Sequence, residues 1–130
     1  MVIGFDTGFF VKFIEGNREA LSAWGKIIEG EEGVVSCLTL FELELLSLRG
    51  RIKLNITKTL LEIIQGTCKI IWLDSKNILS LGAKLSHSLG IPTVDSLILA
   101  GFIISDVNII YTTDSDFEAY KRKEVKIVKL

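Results

Sequence analysis

Four carboxylates are spread along this chain at places where strands should give way to helices or helices should begin: Asp6, Glu42, Asp95 and Asp114. Asp6 closes the apolar opening run MVIGFD, and Glu42 lies in LTLFELE. Asp95 follows a Pro-Thr helix start in IPTVDSLILA, and Asp114 ends IIYTTD, with Asp116 two residues on. Each acid has an ordinary structural explanation. Asp6 suits the N-cap of the next helix. Thr39 and Glu42 have the spacing of a capping box, with Thr39 at N-cap and Glu42 at N3, while Glu44 would face elsewhere. Asp95 complements the dipole of the helix it opens, and Asp114 or Asp116 could cap a short last helix. The joint pattern asks for more. Two unit charges about 4 Å apart repel by roughly 4 kcal/mol at an effective dielectric of 20. A gathered cluster must share protons, splay into water or bind a cation. An all-oxygen set without His or Cys points to Mg²⁺ or Mn²⁺.

The elements that would gather these acids follow from the apolar pattern. Strand-like runs occur at Val2–Phe5, Gly33–Cys37, Lys69–Leu73, Asn108–Tyr111 and Val125–Val128. Helical patterns cover Thr7–Ile14, Arg18–Glu29, Thr39–Leu48, Thr57–Ile64, Lys76–Leu89 and Thr93–Ser105, with a short last turn over Asp116–Arg122. In the second helix Leu21, Trp24, Ile27 and Ile28 mark one face, and glycines at 30, 50, 66 and 90 punctuate helix ends. Alternating strands and helices predict an α/β fold. The sheet should be mainly parallel, of about five strands, with helices on both faces. In such sheets ligands collect beyond the carboxyl ends of the strands.

The 130 residues suit a single domain over 1–130 with one sizeable core. Hydrophobic residues make up 48% and charged residues 24%, a globular composition. The apolar excess suits either a partner surface or a sheet wrapped on both faces. Net charge is −1, so no global basic field advertises nucleic acid. Sixteen acids less the five candidates leave eleven against fifteen Lys and Arg, so the rest of the chain carries +4 and a cation-loaded form could attract phosphate. Cys37 and Cys68 are isolated, which argues against zinc and fits a reducing cytoplasm. No basic-then-apolar leader opens the chain and no apolar run is long enough for a bilayer, so neither secretion nor a membrane is expected.

The set FDTGFF, LTLFELE, IPTVDSLILA and YTTDSDF resembles the four acidic motifs of PIN-domain nucleases, above all the VapC-type toxins of toxin–antitoxin pairs. The resemblance runs in order along nearly the whole chain. It implies a PIN-like three-layer sandwich and a Mg²⁺- or Mn²⁺-dependent endoribonuclease, usually a homodimer, held inactive by a small antitoxin protein. Position by position, the family's invariant acids fall on Asp6, Glu42, Asp95 and Asp114, and Asp116 matches a position acidic in some relatives only. Thr7 matches the hydroxyl after the first acid and Thr112 the hydroxyl before the fourth. Asp6, Asp95 and Asp114 are then expected as metal ligands, Glu42 as a ligand through water or an orienter of the nucleophile, and Thr112 as support for a carboxylate. The expected chemistry is in-line hydrolysis of an RNA phosphodiester, leaving a 5′-phosphate and a 3′-hydroxyl.

Basic residues offer weaker signals. Lys12, Arg49 and Arg51 are candidates for RNA phosphate contacts, although Arg49 before Gly50 also reads as ordinary helix termination. His87, the one histidine, reads as a helix C-terminal residue. Trp24, Trp72, Phe9, Phe10 and Phe13 read as core or interface. Three other readings compete. A catalytically weak RNA- or protein-binding module would keep the fold. A receiver-type domain would use Asp74, but it wants paired acids after the first strand, where Asp6 stands beside Thr7. A haloacid-dehalogenase-type phosphatase wants its DxD there too, whereas Asp114 and Asp116 come late.

Overall fold

A computed structural model of the protein describes residues 1–130. Five strands form one sheet: β1 (Val2–Phe5), β2 (Glu32–Ser36), β3 (Lys69–Ile71), β4 (Ile109–Thr112) and β5 (Lys126–Lys129). Their spatial order is β3-β2-β1-β4-β5, and every pairing is parallel. Six helices connect them: α1 (Thr7–Ile14), α2 (Arg18–Ile28), α3 (Cys37–Leu48), α4 (Leu54–Thr67), α5 (Lys76–Leu89) and α6 (Thr93–Ile104). A 3₁₀ turn, Ser115–Ala119, links β4 to β5. The chain leaves β1 for β2 and β3 on one side, then returns to β4 and β5 on the other. The strand order therefore reverses between β1 and β4, and that crevice is where a parallel sheet opens at its carboxyl end.

Strand alternation builds two cores. Ile3, Phe5, Val35 and Tyr111 face a cluster completed by Phe9 and Phe10 of α1, Trp24 of α2, Leu43 of α3 and Leu60 and Ile64 of α4. Val34 and Ile110 face the opposite cluster, with Ile98, Leu99 and Phe102 of α6, Ile78 and Leu85 of α5, and Phe117. The sheet is wrapped on both faces, as its near-continuous apolar strands require. Alternation puts position 4 on the second face, and a β-carbon there would lie 3.0 Å from the Phe102 ring, so glycine fits. The Phe5 and Phe9 rings pack against each other at a tilt of 37°, centroids 4.3 Å apart, which pins the start of α1 against the end of β1.

Several local expectations change. α3 starts at Cys37, with Ser36 as N-cap accepting from the Leu38 amide at 3.1 Å. The capping box at Thr39 and Glu42 does not form, because a better-placed hydroxyl already caps the helix three residues earlier. α4 starts at Leu54 rather than Thr57 and runs to Thr67 rather than Ile64, one residue past Gly66. On α2 the buried face is Ala20, Ala23, Trp24 and Ile27, while Leu21 and Ile28 are exposed. Trp24 and Ile27 face the core as expected, and the small Ala20 and Ala23, rather than Leu21 and Ile28, complete the buried face. Trp72 lies just past β3 and is 57% exposed, outside either core. The last turn ends at Ala119, three residues before Arg122, and the other strand and helix ends shift by no more than two residues. No helix is long and apolar enough to cross a membrane.

Candidate metal centre

The end of β1 and the end of β4 meet through one hydroxyl. Asp6 leaves β1 with extended backbone and caps α1, its Oδ1 accepting from the Phe9 amide at 2.9 Å. Its Oδ2 accepts a short hydrogen bond from Thr112 Oγ1, at the last position of β4. Thr112 Oγ1 in turn accepts from the Asp114 amide at 2.9 Å. Asp6 is 5% exposed and Thr112 fully buried, so this link is shielded from water. Burial raises the Asp6 carboxyl from 3.8 to about 6, against the lowering effect of the Thr112 and Phe9 bonds, and the charges of Asp114 and Glu42 add to the rise. Capping therefore does not compete with membership of the acidic group; it holds the carboxylate in place.

Asp95 arrives from a different direction. α6 runs antiparallel to β4, so its first turn stands at the carboxyl end of the sheet. Asp95, Asp114 and Asp116 there place carboxylate oxygens within 4.8 Å of one another. Asp114 caps the 3₁₀ turn, its Oδ1 accepting from the Asp116 amide at 2.8 Å. Burial lifts Asp95 to about 7, a hydrogen bond shared with Asp114 holds the proton, and the charges of Asp114, Glu42 and Asp116 reinforce it. Asp116, the least expected ligand, is thus brought together with Asp95 and Asp114. Asp6 is the more deeply buried neighbour of that trio, with a hydrogen bond on each oxygen.

Glu42 comes from α3, the sixth residue of the helix. Thr7 Oγ1 donates to Glu42 Oε1 at 2.5 Å and lies 3.2 Å from Thr39 Oγ1. Thr39 is fully buried and, in place of the capping role read from its spacing, supports the Thr7 hydroxyl that holds Glu42. The signal for this was its position three residues before Glu42, on the same face of a helix.

The chain forms three ion pairs, Met1–Glu31, Lys12–Glu15 and Lys129–Glu118, and none involves these five acids. Lys12 lies in the last turn of α1, within 4.0 Å of Glu15. Arg49 is the C-cap of α3, about 10 Å further along the helix than Glu42 at 1.5 Å per residue. Arg51 lines a shallow hollow with Val11, Ile14 and Glu15. The structure brings none of the three into an ion pair with the acids. His87 is in the last turn of α5. Cys68 is buried, its thiol pushed up to about 12 by burial, and Cys37 is half-buried at the start of α3.

The donor set fits a hard divalent cation. It is all oxygen, the carboxylates of Asp95, Asp114 and Asp116 converge while Asp6 and Glu42 stand outside that trio, and none of the five is in an ion pair. Two of the acids hold their protons well above the ordinary carboxylate range, as an acidic group does before a cation replaces those protons.

Comparison with known proteins agrees with this architecture. None of the curated proteins matches the sequence. The fold matches the VapBC2 structure from Rickettsia felis bound to a DNA fragment from their promoter, with a TM-score of 0.78, 17% identity, and 100% of this chain and 99% of that chain covered. It also matches a toxin–antitoxin complex from Klebsiella pneumoniae, with a TM-score of 0.71, 21% identity, and 95% and 94% covered. VapBC-1 from nontypeable Haemophilus influenzae aligns with a TM-score of 0.70, 16% identity, and 99% and 98% covered. A family model described as the PIN domain matches residues 3–123, taking in every acid of the group from Asp6 to Asp116, and the chain belongs to that family.

Proposed function

We propose that this protein is a Mg²⁺- or Mn²⁺-dependent endoribonuclease and the toxin of a VapBC-like toxin–antitoxin pair. The observation that carries the reading is the convergence of Asp95, Asp114 and Asp116 within 4.8 Å, beside a buried Asp6 and without a cationic partner. Membership of the PIN family, whose domains are generally nucleases, supports it. The toxin–antitoxin complexes that share the fold support the second half.

In this reading Asp95, Asp114 and Asp116 hold the cation, with Asp6 fixed behind them by Thr112 and Phe9. Such a cation supplies an activated water near neutral pH and offsets the charge that develops on phosphorus. The chain's own residues do the rest. Thr7 fixes Glu42 so that its free oxygen can accept a hydrogen bond from the attacking water and orient it in line with the scissile bond. Asp95, whose carboxyl burial raises to about 7, gives up its proton for a cation to be bound, which ties loading to pH. An antitoxin would find an apolar seat away from the acids. A hollow of about 520 Å³ between α3 and α4 is lined by Leu48, Leu54 and Leu61, and Leu48 and Leu54 are largely exposed. A homodimer in the cytoplasm belongs to the same proposal.

The test is RNA cleavage by the pure protein with Mn²⁺, with EDTA and Asp6→Asn as controls. Cleavage that stops with EDTA and falls at least 100-fold in Asp6→Asn is expected. Equal cleavage by Asp6→Asn would sink the site. Tight RNA binding without cleavage would mark the chain as a binding module.

A further inference from the structure

Gly8 occupies the first turn of α1, one residue after Thr7 and two after Asp6. Its φ is not positive, so backbone conformation does not require a glycine there. Space does. An ideal β-carbon at Gly8 would stand 1.7 Å from Thr113 Oγ1, 2.8 Å from Thr113 Cβ and 3.0 Å from Thr113 Cγ2. The Thr113 side chain therefore fills the volume that any other residue at position 8 would claim. Gly25 and Gly66, also inside helices, have nothing within 4 Å of such an atom. Glycine is the poorest helix former after proline, so its place in this turn answers to a contact rather than to propensity.

Both sides of the contact are tied to the acids. Thr7 bonds Glu42, and Asp6 bonds Thr112. Thr113 lies between Thr112 and Asp114, whose amide returns to Thr112 Oγ1. The contact thus sets how closely the β1–α1 corner approaches the loop after β4. We propose that Gly8 is a positioning residue: by admitting Thr113 it holds Asp114 and Asp116 at the spacing from Asp6 that the cation requires. This rests on the metal-dependent reading above. The two residues work as a hole and a filler, so a larger residue at 8 should be tolerated when the filler at 113 is removed.

The experiment compares Gly8→Ala, Thr113→Gly and the double variant with the wild type. Two readouts are used: Mn²⁺ affinity by calorimetry, and hydrogen exchange of the Asp114 and Asp116 amides without metal. Gly8→Ala should weaken Mn²⁺ binding about tenfold and speed those two amides about tenfold, leaving β1 and α6 amides unchanged. The double variant should return to the values of Thr113→Gly. Gly8→Ala with wild-type affinity and exchange, or a double variant as impaired as Gly8→Ala, overturns the proposal. If Gly8→Ala does not fold, the double variant should fold and melt like Thr113→Gly, and its failure to fold overturns the proposal equally. A wild type that takes up no Mn²⁺ removes the metal reading; a local exchange effect that persists in that case supports the positioning contact.

Discussion

Thr112 binds two acids with one oxygen: its hydroxyl donates to Asp6 Oδ2 and accepts the amide hydrogen of Asp114. Neighbouring parallel strands place their ends side by side, and here those ends carry a carboxylate on β1 and a hydroxyl on β4. The hydrogen bond turns that backbone adjacency into a fixed distance between two acids that are 108 residues apart in sequence.

Thr112→Val keeps the shape and removes the link. Asp6 then loses the hydrogen bond that most favours its ionised form, and its carboxyl should move above about 6. Mn²⁺ affinity should fall about 10- to 100-fold, read by calorimetry. Thr112→Ser should keep most of it. Equal affinity in Thr112→Val and the wild type would show that the link does not serve the site.

The pH dependence of stability has an inverted sign for these acids. Asp6 and Asp95 have folded values of about 6 and about 7 against an ordinary 3.8. Their contribution is complete below about pH 4 and is lost as pH rises through 6 to 7, because the unfolded chain ionises first. For Asp6 the loss is up to about 3 kcal/mol over that span. Metal-free wild type should therefore lose more melting temperature between pH 4.5 and pH 8 than Asp95→Asn does, measured by calorimetric scans of both. Parallel slopes would count against the burial of these carboxyls. Saturating Mn²⁺ at pH 8 should restore the wild type, by about 3 kcal/mol at one hundred times the dissociation constant.

Asp95→Asn separates site from scaffold. The residue is half-buried and caps nothing, so the fold should survive, with a far-ultraviolet circular dichroism spectrum like the wild type. It removes a charge that repels Asp114, so the metal-free variant should melt at or above the wild type at pH 8. Unchanged Mn²⁺ affinity in this variant would argue that Asp95 is not a ligand.

Thr39→Val tests the hydroxyl chain behind Glu42. Thr39 is fully buried, and its replacement is close in shape. Thr7 then loses one of its two partners, and cleavage should drop about three- to tenfold at unchanged substrate affinity. Steady-state kinetics on a short RNA would read this, and Thr39→Ser should recover most of the rate. A change in KM alone would point to RNA binding instead.

The strands, the alternation of strand with helix, and the resulting parallel sheet were legible because they depend on local patterns. Val2–Phe5 is apolar throughout, and Lys76–Leu89 keeps one apolar face over its whole length. Asp6 as a helix cap was equally local. Where two signals competed locally, the wrong one was favoured: Thr39 with Glu42 has capping-box spacing, yet Ser36 caps the helix. Leu21 and Ile28 looked like core, yet Ala20 and Ala23 face the sheet, because close packing selects small residues that hydrophobicity alone undervalues.

Sequence by itself determined which residue types stand at the ends of the elements, since capping, apolar periodicity and the choice of carboxylates are set residue by residue. Tertiary structure alone decided their grouping. The reversal of strand order between β1 and β4 is a long-range choice, and it puts Asp6 beside Thr112. The antiparallel run of α6 brings Asp95 to Asp114 and draws in Asp116 as well, where spacing had offered Asp114 or Asp116 without choosing. The hole at Gly8 became visible only with Thr113 in it, because a glycine's missing side chain has no meaning until something else occupies its place.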